Sequence, residues 1–235
     1  MENDQTKRRE ISQLMREAAS IFSRQQGPEL DPALPKMREA VILAETLEDK
    51  TPLLICQANL AYMNAVCGRV ADALDTIEQA VVVASEADGD VATPIRNFAY
   101  TKFVEISVLL GQNHDRALTT ARALVQSAAE EEESYQQFLA ALHNLAVVCY
   151  DLLQLPDWAL AILSWISDEA VPDDHAIAKQ SRRLARKISR QYPEPARTQW
   201  LSEIESNRDF FLLQATAGYL PDYAPQPPVP NAETE

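Results

Sequence analysis

The sequence predicts an all-α protein, a solenoid of about ten helices folded as antiparallel hairpins. Three observations carry this. Four stripes repeat a spacing of four, three and four residues, which traces one face of an α-helix. They are Ala33, Met37, Ala40 and Ala44; Ala73, Ile77, Ala80 and Ala84; Ala117, Ala121, Leu124 and Ala128; and Ala159, Leu163, Ile166 and Ala170. Each stripe opens on an Ala-Leu dipeptide, and the four dipeptides lie 40, 44 and 42 residues apart. A period of that length marks a repeat architecture, because one hairpin is too thin to dry both faces and needs neighbours of its own kind. Composition agrees: with 46% hydrophobic residues but only 7% aromatics and 5 glycines, the helix crossings must be made by alanine.

Taken in order, residues 1–7 are expected to be a flexible N-terminus. A first helix over 8–25 aligns Ile11, Leu14, Ala18 and Ile21 or Phe22, and Gly27-Pro28 ends it. Asp31 can cap the next helix, with Pro32 in its first turn. Thr51-Pro52 and Thr93-Pro94 repeat that signal. The helix behind Thr51 presents Leu53, Cys56, Leu60, Met63 and Cys67, and Gly68 makes the turn to its partner. The helix behind Thr93 carries Tyr100, Phe103, Ile106 and Leu110 and stops at Gly111. After Glu130–Glu133, whose charge favours a helix N-terminus, Phe138, Leu142, Leu145 and Cys149 mark a helix to about Leu153. Pro156-Asp157 opens its partner. Asp173 or Asp174 caps a helix to about Tyr192 with Ile177, Ser181, Leu184 and Ile188 inward. A single helix after Pro195 then carries Trp200, Ile204, Phe211 and Gln214 on one face. Residues 171–217 are expected to form helices that cap the array. The proline-rich segment 218–235, with Pro225 and Pro228 in a PxxP spacing, is expected to be a disordered tail.

Asn59-Leu60-Ala61, Gly68-Arg69, Ala73-Leu74, Ile77 and Ala80 together resemble the tetratricopeptide repeat (TPR). Asn144-Leu145-Ala146 with Ala159-Leu160 matches again, with one extra residue in the turn. The period resembles the long-helix arrays of kinesin light chains and of bacterial regulators. The resemblance implies a right-handed α-solenoid with four TPR-like hairpins over 8–170. It also implies a concave groove lined by the first helix of each hairpin, and the candidate contacts there are Asn59, Tyr62, Lys102, Glu105, His143, Asn144 and Tyr150. Some members grip a peptide carboxylate with groove lysines and arginines. Lys102 is the only basic candidate here, so a basic or apolar peptide or helix of another protein fits better.

Charge is unevenly distributed. The chain has a formal net charge of −14, yet the segment from Lys179 to Arg190 holds Lys179, Arg182, Arg183, Arg186, Lys187 and Arg190 and no acid. An acidic body favours basic protein segments over nucleic acid, while the basic helix offers phosphate contacts as an alternative. Cys56, Cys67 and Cys149 lack CxxC spacing and lie on apolar stripes, so they read as packing residues. The dispersed glycines exclude a Walker loop or dinucleotide fingerprint, and neither HExxH nor GxSxG occurs. No enzyme, cofactor or metal is expected, and no membrane helix or signal peptide, which makes the cytoplasm the expected location. The sequence thus points to a protein-binding adaptor or regulatory subunit, with a secretion-type chaperone, or nucleic-acid binding through 179–190, as alternatives.

Overall fold

The computed structural model describes residues 2–24, 32–86, 92–130, 135–169, 176–194 and 196–217. Among these there are eleven α-helices and no strand. Asp31, Asp88–Asp90, Glu131–Glu133, Ala170, Asp173, Asp174 and the tail 218–235 lie outside them, as does the side chain of Gln214. The chain divides into two compact units, Met1–Leu110 and Gly111–Glu235. The division falls inside the third expected hairpin, at the glycine that ends its first helix.

The first unit comprises α1 (Glu2–Arg24), α2 (Ala33–Glu45), α3 (Thr51–Val66), α4 (Val70–Ser85) and α5 (Ala92–Leu110). Helix α1 begins six residues before the expected start, because the polar residues ahead of Arg8 continue the helix rather than forming a loose end. The pairs α1–α2 and α3–α4 are hairpins, and α5 packs on α3 and α4. All four stripe residues of α4 are fully buried, as are Ala33, Ala40 and Ala44 of α2. Small side chains there bring the backbones close, and Phe103 and Ile106 of α5 fill the remaining space. Two expected caps differ. Thr51 is already helical, and the Asp49 carboxylate two residues earlier accepts its amide hydrogen bond at 2.9 Å. Helix α5 starts at Ala92, so Thr93 lies inside it.

Gly68 closes α3 at the turn the sequence predicts there. Its φ is +73°, its amide donates to Ala65 O, and the Arg69 amide donates to Asn64 O at 2.9 Å. This paired arrangement satisfies the last carbonyls of a helix and needs a left-handed residue in the middle.

The second unit comprises α6 (His114–Glu130), α7 (Tyr135–Val147), a π-helical turn (Val148–Leu152), α8 (Pro156–Glu169), α9 (Ala176–Ser189), α10 (Ala196–Ser206) and α11 (Arg208–Ala217). The extra residue expected in the turn is absorbed within the helix instead. A π turn accommodates one inserted residue, and the Leu153 amide reaches back five residues to Val148 O. The left-handed position is then filled by Gln154, with φ +57°.

The helix expected after Pro195 is broken at Asn207, whose side-chain amide donates to Glu203 O and whose own carbonyl starts α11. The break turns α11 back onto α8 and α6. There Phe211 meets the fully buried Trp158 edge to face, with ring centroids 5.1 Å apart. Trp200 of α10 packs instead on Tyr192. The C-terminal part is therefore three helices, α9, α10 and α11, where the sequence predicts two.

Candidate partner-binding surfaces

In the first unit, the candidate residues are brought together. Tyr62 is half-buried on α3, one helical turn beyond the half-buried Asn59. Its ring lies 5.9 Å from that of Phe22 on α1, and Lys102 Nζ on α5 stands 5.6 Å from its centre. Lys102 also pairs with the Glu105 carboxylate at 2.6 Å. An ammonium over an aromatic face is attracted by the ring quadrupole, and the adjacent carboxylate holds it there. Helices α1, α3 and α5 thus contribute one patch, aromatic at its centre and with a balanced ion pair at its edge. Phe22 belongs to it, although the sequence showed it only as an apolar stripe residue.

The second unit treats its candidates differently. His143 Nδ1 and Ser181 Oγ are 2.9 Å apart, joining α7 to the fully buried serine of α9. Burial holds the imidazole below its ordinary pKa, which favours the neutral ring. The Gln191 side chain donates to Tyr150 OH at 2.7 Å, and Lys187 Nζ lies 5.8 Å from the centre of the Tyr150 ring. Asn144 is half-buried between them in sequence. His143 and Tyr150 are half-buried, as Tyr62 is, and each has a partner on α9 or just past its end.

Of the basic residues on α9 and just past its end, Lys179, Arg183, Arg186, Lys187 and Arg190 are exposed. Arg182 is half-buried and directs Nη2 toward Ser167 O at 3.4 Å. The outward placement of the cations leaves Ala178, Ser181 and Ile188 to face inward.

A buried polar group also lies in this unit. Asp157, at the start of α8, is 1% exposed, and burial pushes its carboxyl up to about 6 even though the amides of Asp157 and Trp158 donate to it. Arg122 donates to Ala215 O at 2.9 Å, tying α6 to α11, and desolvation lowers its pKa. Burial raises the Cys149 thiol to about 12 and that of Cys56 to about 11, which makes both unreactive. Among the described residues no three His, Cys, Asp or Glu side chains gather as metal ligands, and no helix is long and apolar enough to cross a membrane.

Stacked helix hairpins with alanine crossings, glycine-closed turns and a repeat of about 40 residues define the TPR-like α-solenoid fold. The chain is similar to a crystal structure of nearly identical TPR-like repeats from Podosopora anserina, described as a kinesin light chain, with a TM-score of 0.63. That similarity covers 92% of this chain and 99% of the other at 15% identity. No family model matches the chain, and no curated protein does.

Proposed function

We propose that this protein is a cytoplasmic, non-enzymatic adaptor that binds a peptide or helix of another protein on the first unit, across α1, α3 and α5. The observation that carries the reading is the shared Tyr62 ring, which is approached both by Phe22 and by Lys102. Aromatic anchors set among neutral polar groups are where binding energy concentrates in protein interfaces. Asn59 adds a donor and an acceptor suited to a peptide backbone. Glu105 adds an acceptor for a basic side chain at the rim. His143 and Tyr150 are assigned to intramolecular packing instead, so the contact surface is narrower than the resemblance alone implies.

The reading is tested by affinity co-purification with quantitative mass spectrometry, using the full chain and a Tyr62→Ala, Lys102→Ala variant. A partner recovered with the first and reduced at least about tenfold with the second is the expected result, since loss of an aromatic hot spot costs about 2 kcal/mol or more. Equal recovery with both would count against the patch.

A further inference from the structure

Helix α11 buries one apolar face and leaves another uncovered. Phe211 is fully buried against Trp158, whereas Leu213 is 63% exposed. Leu212 and Leu213 form one wall of a cleft of ≈ 750 Å³ that α6, α7 and α8 complete within the second unit. Phe138 of α7 and Trp165 of α8, both half-buried, line it with two aromatic rings set edge to face, their centroids 6.0 Å apart. Val125 of α6 adds apolar surface. Among the described lining residues only Arg208 and Asp209 carry charge; they lie 3.8 Å apart, and Arg208 also pairs with Asp168. An aromatic cleft whose cation is already matched suits an apolar segment rather than an ion.

Such a segment follows directly in the chain. Helix α11 ends at Ala217, and Thr216 one residue earlier lines the cleft. Residues 218–230 read GYLPDYAPQPPVP, with five prolines, two tyrosines and a single charge at Asp222. Proline fixes φ and favours the extended polyproline II form, so little conformational entropy is lost when such a segment docks. Aromatic-lined grooves recognise segments of this kind. Gly218 stands where a glycine lets the chain turn back onto the surface it has just left. At about 3.1 Å per residue, the stretch from Gly218 to Pro227 reaches about 30 Å. Packed helices lie about 8–10 Å apart, so that reach crosses the cleft.

We propose that the cleft between α6, α7, α8 and α11 holds the chain's own proline-rich tail, with residues 220–228 laid across Phe138 and Trp165. The tether decides the occupant, because it gives the tail an effective concentration on the order of millimolar that a free peptide of like composition must exceed. Charge agrees, since the docked stretch brings one carboxylate to a cleft with no unmatched charge of its own. The site belongs to the second unit and does not depend on the patch around Tyr62.

The test places benzoylphenylalanine at position 223 of the full chain and maps the products of irradiation by mass spectrometry. A crosslink of monomer size, concentrated on the peptides that hold Phe138, Trp165 and Leu213, is expected. Leu213→Asp alters an exposed side chain, so the fold is kept, as circular dichroism would verify. It is expected to lower that crosslink at least about tenfold, because it sets a charge against an apolar occupant. Pro225→Ser, Pro227→Ser and Pro228→Ser together keep the tether but lose the stiff backbone, and are expected to lower it at least about threefold. The Tyr62→Ala, Lys102→Ala variant is expected to crosslink as the unaltered chain does, so failure here and failure of the adaptor patch are distinguishable. Products of dimer size would assign the cleft to the tail of a second copy, and products scattered over the surface would mean an undocked tail. Either result overturns the proposal, as does a yield that either set of substitutions leaves unchanged.

Discussion

The hairpin of α3 and α4 and the hairpin of α7 and α8 carry the same register marks, Asn-Leu-Ala followed by Ala-Leu, yet they are finished in different ways. The first turns on Gly68 with satisfied helix-end carbonyls, buries a plain alanine stripe, and leaves Tyr62 half-open. The second absorbs an extra residue in a π turn and places Gln154 in the left-handed region. It also buries Asp157 and Trp158, and its Tyr150 is held by Gln191 and Lys187. One repeat pattern is therefore finished with a glycine turn in one place and with a π turn and a buried carboxyl in another. What decides is which helix arrives next, not the repeat itself.

The largest expected effect concerns the second of these hairpins. Trp158→Ala removes a fully buried indole and its edge contact with Phe211, costing about 3–5 kcal/mol and freeing α11 from α8. Urea denaturation followed by circular dichroism should show the loss in the second unit's transition. An unchanged midpoint would mean that α11 is not anchored there.

Asp157 is next. Its carboxyl titrates near 3.8 when unfolded and near about 6 when folded, so between those values the folded chain keeps a proton that the unfolded chain releases. The stability it contributes is full below about pH 4 and is lost as pH rises through about 6. The difference is on the order of 2–3 kcal/mol. Asp157→Asn should flatten this dependence in urea titrations at pH 4.5 and pH 7.5, and a slope equal to that of the unaltered chain would assign it to another group. No such term is expected from the α3–α4 hairpin between pH 4.5 and pH 7.5, because its buried titratable group, the Cys56 thiol, is raised to about 11.

The smallest effects compare the two turns directly. Gly68→Ala meets no neighbouring atom, so its cost of about 1 kcal/mol is backbone strain alone. Gln154→Gly should instead stabilise by about 0.5–1 kcal/mol, because it relieves the same strain in the other hairpin. Thermal melting of both variants checks the pair. Shifts of the same sign would contradict the equivalence of the two positions.

The stripes were legible in the sequence because a helix crossing leaves a periodic mark in its own residues. The spacing of Ala73, Ile77, Ala80 and Ala84 predicts one buried face, and all four are buried. The Ala-Leu register was equally local. Contacts made at long range left weaker marks. Ser181 on an otherwise apolar stripe was a signal that a polar partner waited for it, but nothing near it in sequence named His143. The break at Asn207 leaves no mark in the sequence, because Trp200, Ile204 and Phe211 fit one helical face whether or not the helix is continuous. Thr51 reads as a cap in the sequence, but it is already helical and its amide is satisfied by Asp49, because only the backbone path decides where the helix begins. Tyr62, Lys102 and Glu105 were singled out through the resemblance, whereas their convergence with Phe22 required the packing of three helices.

The most direct test of the comparison places a photo-crosslinking benzoylphenylalanine at position 62 in one protein and at position 150 in another, each irradiated in the native cell. Covalent capture of a partner protein from position 62, with position 150 giving only intramolecular products to the α9 region, is the result predicted. Partner capture from position 150 and none from position 62 would contradict the assignment of the first unit as the contact surface.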